Sequence, residues 1–143
     1  IDALNLSPGD ITALLANLRY RLEPRFRAMG LTLEWAVILL PNLPQLDASA
    51  MRQLQFIFFE AFSNVMQHAH ASILRVDAAP TLTPRGAGAP GVRIRICDNG
   101  GGFDTQLLRR GGLNSMHERA QALGAQLNFQ SRPGETVVEL LLH

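Results

Sequence analysis

Lysine is absent from the 143 residues, and all thirteen basic side chains are arginine. That excludes chemistry built on a primary ammonium group, including a Schiff base and a phosphate-binding loop that ends in lysine. The single cysteine, Cys97, leaves no internal disulfide to form, so the sequence asks for no oxidising compartment. Long apolar runs are also missing. The longest, Trp35 to Leu40, stops after six residues at Pro41, against the roughly 20 that a membrane-spanning helix needs. Charge of one sign is scarce too: the formal net charge is +1, which gives no basic footprint for nucleic acid or an anionic membrane. There is no signal-peptide pattern, and the first residue is Ile1 rather than Met. The sequence reads as a soluble piece of something longer.

What is present is enough for a core. Apolar residues make up 47% and charged ones 17%, which argues against disorder. The length suits one domain spanning 1–143 and burying about two-thirds of its unfolded surface.

Ser7-Pro8-Gly9-Asp10 has the form of a helix start, with Ser7 placed to cap and Asp10 three residues later. Ile11, Leu14, Leu15, Leu18 and Leu22 then recur at helical spacing, and Pro24 and Gly30 punctuate the end of a helix over about 7–28. Leu31, Leu33, Trp35 and Val37 alternate as in a strand. A main helix is predicted from Ala48 to about Ala69, with Met51, Leu54, Phe58, Ala61, Phe62 and Val65 on one face. A strand comes next, over Ile73 to Ala78. Pro80 to Gly91 is dense in proline and glycine and reads as a mobile loop. Val92, Ile94 and Ile96 alternate with Arg93 and Arg95, which predicts a strand with one wet face. A short helix over about Leu113 to Leu123 and strands over 126–131 and 136–142 complete the chain, without internal repeats. Strands succeed one another without a helix between them. The fold class is therefore α+β, a mixed sheet covered by helices on one face.

Three places combine residue types that chemistry uses. Glu60, Asn64 and His68 are spaced by four residues, with Gln67 beside them, so they form a polar stripe along the edge of the apolar face. An ordinary amphipathic helix whose polar side begins there gives the same pattern. Asp98-Asn99-Gly100-Gly101-Gly102-Phe103 comes directly after a strand. Its glycines suit unusual torsions or the close approach of a ligand, although Asp and Asn before glycine also make hairpin turns. Gly111-Gly112-Leu113 opens a helix, where unpaired N–H groups suit an anion. Arg109 and Arg110 precede it as further phosphate contacts or as solvated charges.

Taken in order, these pieces resemble a known pattern: Glu-x-x-x-Asn on a helix, Asp-x-Gly-x-Gly after a strand, Gly-Leu-x-x-Met at a helix start, and a Gly/Thr turn before the last strand. This is similar to the Bergerat ATP-binding fold. Gly112-Leu113-Asn114-Ser115-Met116-His117-Glu118-Arg119-Ala120, with Leu123-Gly124 after it, resembles the catalytic ATP-binding domain of sensor histidine kinases of the nitrate/nitrite-sensor type. Glu60 to Asn64 with His68-Ala69 matches that branch's N box, and Asp98 to Phe103 its G1 box. The likeness runs over nearly the whole chain.

The resemblance implies a role for each matched residue. Asn64 stands where the family coordinates Mg²⁺ bridging the phosphates of ATP, an amide oxygen being a reasonable ligand for a hard octahedral ion. Glu60 matches the residue that orients or activates the attacking group, and His68 lies near the phosphates. Asp98 matches the carboxylate that takes the adenine amine. Gly100 and Gly102 let the backbone approach the base, Gly112 and Leu113 fall where backbone N–H groups hold phosphate, and Thr136 matches the threonine supporting the adenine site. The implied reaction is transfer of the γ-phosphoryl group of ATP to a histidine on separate dimerisation helices, and from there to a response-regulator receiver domain. No acceptor histidine is recognised here, since His117-Glu118 lies inside the last helix. The fragment is expected to be monomeric and cytoplasmic, within a parent compatible with an inner-membrane sensor.

Several positions depart from the family pattern. Gln67 stands in place of a basic residue, Arg110 in place of a glycine, the segment between Phe103 and Gly111 is short, and Glu135 replaces a second glycine before Thr136. None removes Asn64 or Asp98. Two other readings share parts of the pattern. One is a different ATPase of the superfamily, such as an anti-sigma serine kinase or the ATPase clamp of a gyrase or mismatch-repair protein. The other is a non-catalytic domain whose altered glycine box serves protein contacts. Cys97, next to Asp98, is expected to be a small buried hydrophobe.

Overall fold

The computed structural model describes residues 7–82, 90–101 and 112–143. Among the described residues the α-helices and strands occur in this order: α1 (Ile11–Ala28), β1 (Thr32–Val37), α2 (Ala48–Asn64), β2 (Ile73–Leu82), β3 (Pro90–Asp98), α3 (Gly112–Ala122), β4 (Gln126–Arg132) and β5 (Glu135–Leu142). The five strands form one sheet in the order β1-β2-β3-β5-β4. β1 runs parallel to β2, and every other pairing is antiparallel. The α+β class and the mixed sheet of the sequence reading are therefore what the chain adopts.

Alternation gives the sheet two unlike faces. Leu74, Val76 and Ala78 of β2, Val92, Ile94 and Ile96 of β3, and Val138, Leu140 and Leu142 of β5 are all buried. They pack with Leu14, Leu15, Leu18, Leu22 and Phe26 of α1, and Met51, Leu54, Ile57, Phe58, Ala61 and Phe62 of α2. Each of the larger side chains among them contributes about 1.5–3 kcal/mol by leaving water. The other face carries charge. Arg95 Nε donates to Glu139 Oε2 at 2.8 Å, Asn128 Nδ2 donates to Glu139 Oε1 at 3.0 Å, and Arg75 sits between Glu34 and Asp77 at 3.8 and 3.6 Å. Cys97 belongs to this second face and is half-buried, not the core residue expected. The period of two that turns Asp98 inward turns its neighbour outward.

Helix ends obey local chemistry with two departures from the sequence reading. Asp10, not Ser7, caps α1: its Oδ1 accepts from Ala13 N at 3.0 Å. Asp47 does the same for α2 through Ala50 N at 2.9 Å. Pro24 does not end α1 but lies inside it. Proline there removes the hydrogen bond to the Tyr20 carbonyl and costs about 3 kcal/mol. The helix continues because Phe26, 2% exposed, anchors the last turn against Phe62, with ring centroids 5.8 Å apart. α1 and α3 then stop alike. Leu31 N donates to Phe26 O at 2.9 Å and Gly30 N to Arg27 O at 3.0 Å; Ala125 N donates to Ala120 O at 2.9 Å and Gly124 N to Gln121 O at 3.0 Å. This double bond pattern needs a left-handed residue at its corner, and glycine supplies it both times.

The stretch Pro80 to Gly91 is not wholly a loop. β2 runs through Pro80 to Leu82, and β3 begins at Pro90, opposite Leu82. Pro80 is tolerated because β1 stops at Val37, opposite Ala78, so no neighbour on that side asks for its missing N–H. Residues 83–89 lie outside the described ones.

Candidate functional site

α2 leads to the site through a change of winding. After Asn64 the chain makes one wide π-helical turn, Val65–Ala69, ending at His70 in the left-handed region with φ of 50°. A turn of this kind rotates the residues beyond it away from the phase of the regular helix. Asn64 is the last residue of the regular part and lies on the buried stripe with Ala61 and Phe62. Glu60, one turn earlier, is half-buried and makes no ion pair among the described residues. Gln67 Nε2 donates to Ser63 Oγ at 3.1 Å. His68 has its backbone in the wide turn, and its side chain lies outside the described atoms.

Asp98 closes β3 and points inward. It is 5% exposed, and its Oδ1 accepts from Gly100 N at 2.8 Å. Burial pushes its carboxyl above the usual range, and the Gly100 N–H pulls the other way. The bend after it is no hairpin, because β3 pairs with β2 and β5 on its two sides. It is pinned twice. Asn99 Oδ1 accepts from Ser72 N and Ile73 N at 3.0 and 2.9 Å, and Asn99 Nδ2 donates to Ser72 Oγ at 2.9 Å. On the other side Gly134 N, in the turn between β4 and β5, donates to Gly100 O at 2.8 Å. Gly134 has φ of 89°, which only glycine adopts without strain. Glu135, in place of a second glycine, pairs with Arg132 at 2.8 Å.

Thr136, the cross-strand partner of Asp98, is 1% exposed. Its Oγ1 lies 2.8 Å from Ser131 Oγ on β4. Gly112 and Leu113 are the first residues of α3, where N–H groups lack partners within the helix. Gly102 and the segment 102–111, including Arg110, lie outside the described residues.

One relationship ties these pieces together. The buried polar or charged side chains among the described residues are Asn64, Asp98 and Thr136, at 7%, 5% and 1% exposure. The wide turn after α2 leads into β2 at Ile73; Leu74 pairs with Asp98, and Asp98 with Thr136. The end of α2, the end of β3 and the start of β5 thus share one end of the helix–sheet interface. Buried polar groups are costly unless paired or used; besides these three residues, Asn17 Oδ1 and Arg93 Nε are buried without a hydrogen-bond partner. A cavity of about 830 Å³ lies elsewhere, on the charged face around Arg75, Asp77, Arg95 and Cys97. Its ionic groups already pair with one another, so the site is read from the buried polar residues. Among the described residues no three His, Cys, Asp or Glu side chains gather as a metal cage.

Sequence reasoning missed Asn99 and Ser131. The first was legible only as a turn residue. The second becomes legible once Pro133-Gly134 is taken as a two-residue turn, which sets Ser131 opposite Thr136.

No protein-family profile matches the chain. It is 35% identical over 140 residues to the nitrate/nitrite sensor protein NarQ of Escherichia coli K12, covering 96% of this chain and 23% of that protein. Solved structures share the fold. A histidine kinase domain of the blue-light activated kinase EL346 from Erythrobacter litoralis superposes with a TM-score of 0.74 at 15% identity, over 96% of this chain and 64% of that one. The histidine kinase AdeS of Acinetobacter baumannii gives 0.71 at 17%, over 94% and 65%. Full-length ShkA in complex with AMPPNP gives 0.71 at 20%, over 99% and 31%. The sheet and its covering helices are thus the fold seen in these histidine kinase structures. In sequence the chain is similar to the nitrate/nitrite sensor, and it spans less than a quarter of that relative's length. Among the described residues no helix is long and apolar enough to cross a membrane.

Proposed function

We propose that this domain binds ATP with Mg²⁺ at the end of the helix–sheet interface where Asn64, Asp98 and Thr136 are buried together, and that its parent transfers the γ-phosphoryl group to a histidine on separate dimerisation helices. The observation that carries the proposal is that, among the described residues, the polar or charged side chains classed as buried are these three. A fold without a ligand there gains nothing from burying a carboxylate beside a threonine.

Each residue then has one task. Asp98 accepts from the adenine amine, and Thr136 supports the same edge. Gly100 and Gly102 let the base lie against the backbone. The N–H groups of Gly112 and Leu113, at the start of α3, hold phosphate oxygen with the help of the helix dipole. The amide oxygen of Asn64 is a hard, neutral donor that fits Mg²⁺ with phosphate oxygens and waters as its other ligands. The ion, when bound, neutralises phosphate charge. Glu60, one turn before Asn64, orients the attacking group, and His68 sits near the phosphates. Positioning and charge neutralisation carry most of the catalysis in such transfers. The phosphoryl group then passes to the receiver domain of a response regulator, and the domain itself works as a monomer on the cytoplasmic side.

Calorimetric titration tests the binding. Wild type is expected to bind ATP more tightly with Mg²⁺ than with a chelator. Asn64→Ala removes that difference, and Asp98→Asn weakens binding with or without the ion. No heat from ATP under either condition overturns the proposal. Adding the parent's dimerisation helices and seeking acid-labile, alkali-stable phosphate tests the transfer.

A further inference from the structure

The row that holds Asp98 and Thr136 has a third polar member. Ser131 is the β4 partner of Thr136, and their hydroxyl oxygens are 2.8 Å apart, with either able to donate. A hydroxyl has one proton and two lone pairs. Thr136 is 1% exposed, so its hydroxyl cannot turn freely toward bulk water. The direction of the Ser131–Thr136 bond therefore decides what Thr136 offers the rest of the row. If Thr136 donates to Ser131, it presents only lone pairs. If Ser131 donates, the Thr136 proton is left for a partner on the Asp98 side. An ionised carboxylate is an acceptor only, so the second arrangement makes the pair complementary to a base edge carrying an amine beside a ring-nitrogen acceptor. Cross-strand partners hold their Cβ atoms about 5 Å apart, which suits two neighbouring atoms on one base, contacted directly or through a water.

We infer that Ser131 is a positioning residue that sets Thr136 as a donor and so makes the site select a purine with an unprotonated ring nitrogen next to its amine. This rests on the nucleotide reading above. Ser131 adds selectivity rather than bulk affinity, because it acts through the proton of another hydroxyl.

The test compares ATP with 1-deaza-ATP, in which that ring nitrogen is a C–H group, on wild type, Ser131→Ala and Ser131→Thr. Wild type is expected to prefer ATP by roughly tenfold, the value of one ordinary hydrogen bond. Ser131→Ala should lower the preference to within about twofold by weakening ATP while leaving 1-deaza-ATP nearly unchanged. Ser131→Thr, which keeps the hydroxyl, should restore it. Equal weakening of both nucleotides by Ser131→Ala points to a structural role and overturns the inference, as does an unchanged preference. If wild type binds neither nucleotide, the nucleotide reading falls and the inference with it. If wild type binds both without preference, only the inference falls.

Discussion

Asp98 and Thr136 face each other across β3 and β5 on the covered side of the sheet, at 5% and 1% exposure. A carboxylate held that way is a strain on the free protein, and the consequences can be measured.

Asp98→Asn keeps an oxygen to accept from Gly100 N and removes the buried charge. Because burial raises the folded-state pKa of Asp98, the ionised form is disfavoured on folding. That penalty is absent below the unfolded value of about 4, grows as pH rises from there to the folded value, and is constant above it. The variant should therefore melt at an equal or higher temperature than wild type at pH 7, with the gap closing toward pH 4. Its ATP affinity should fall about 10- to 100-fold, since a hydrogen bond to a charged acceptor is lost. Melting curves over that pH range and calorimetry check both halves. A lower melting temperature at pH 7 contradicts the account.

Glu139 behaves in the opposite sense. Its hydrogen bonds from Asn128 and Arg95 hold its pKa below the usual range. The stability it contributes is present above the unfolded value of about 4.3 and is lost as pH falls through the folded one. Glu139→Gln should cost up to about 1 kcal/mol at pH 7, the ceiling for a pair whose arginine is 40% exposed. Urea unfolding from pH 7 downward should show the difference and its decrease toward acid pH.

Pro24 interrupts the hydrogen bonding of α1 at an exposed position. Pro24→Ala returns an N–H to the Tyr20 carbonyl and should stabilise the domain by about 1–3 kcal/mol. Denaturant midpoints measure it, with the slope unchanged.

His70 ends the wide turn at positive φ. His70→Gly should be neutral or mildly stabilising, whereas His70→Val should cost about 1–2 kcal/mol because a branched side chain resists that conformation. Chemical denaturation of the two variants side by side decides it.

Much of this was open to reading in the chain itself. The apolar period of 3.6 marked α1, α2 and α3 and the period of 2 marked β1 and β3, because burying those stripes is what the sequence has to do; the ends of β2 and β3 that fall within Pro80 to Gly91 were not marked. The spacing of Glu60, Asn64, Asp98, Gly112 and Thr136 marked the candidate site from sequence alone, since order along the chain survives folding.

Other features were decided by contacts between distant residues. Pro24 stays helical only because Phe26 meets Phe62, and Pro80 stays in a strand only because β1 ends at Val37. Local propensity disfavours both, and tertiary packing overrides it. Cys97 and Asp98 are neighbours in sequence yet lie on opposite faces of the sheet. Ser131 meets Thr136 because the turn at Pro133-Gly134 set it opposite, and β5 carried Thr136 to Asp98. Periodicity says which way a side chain points; only the pairing of strands says what it meets.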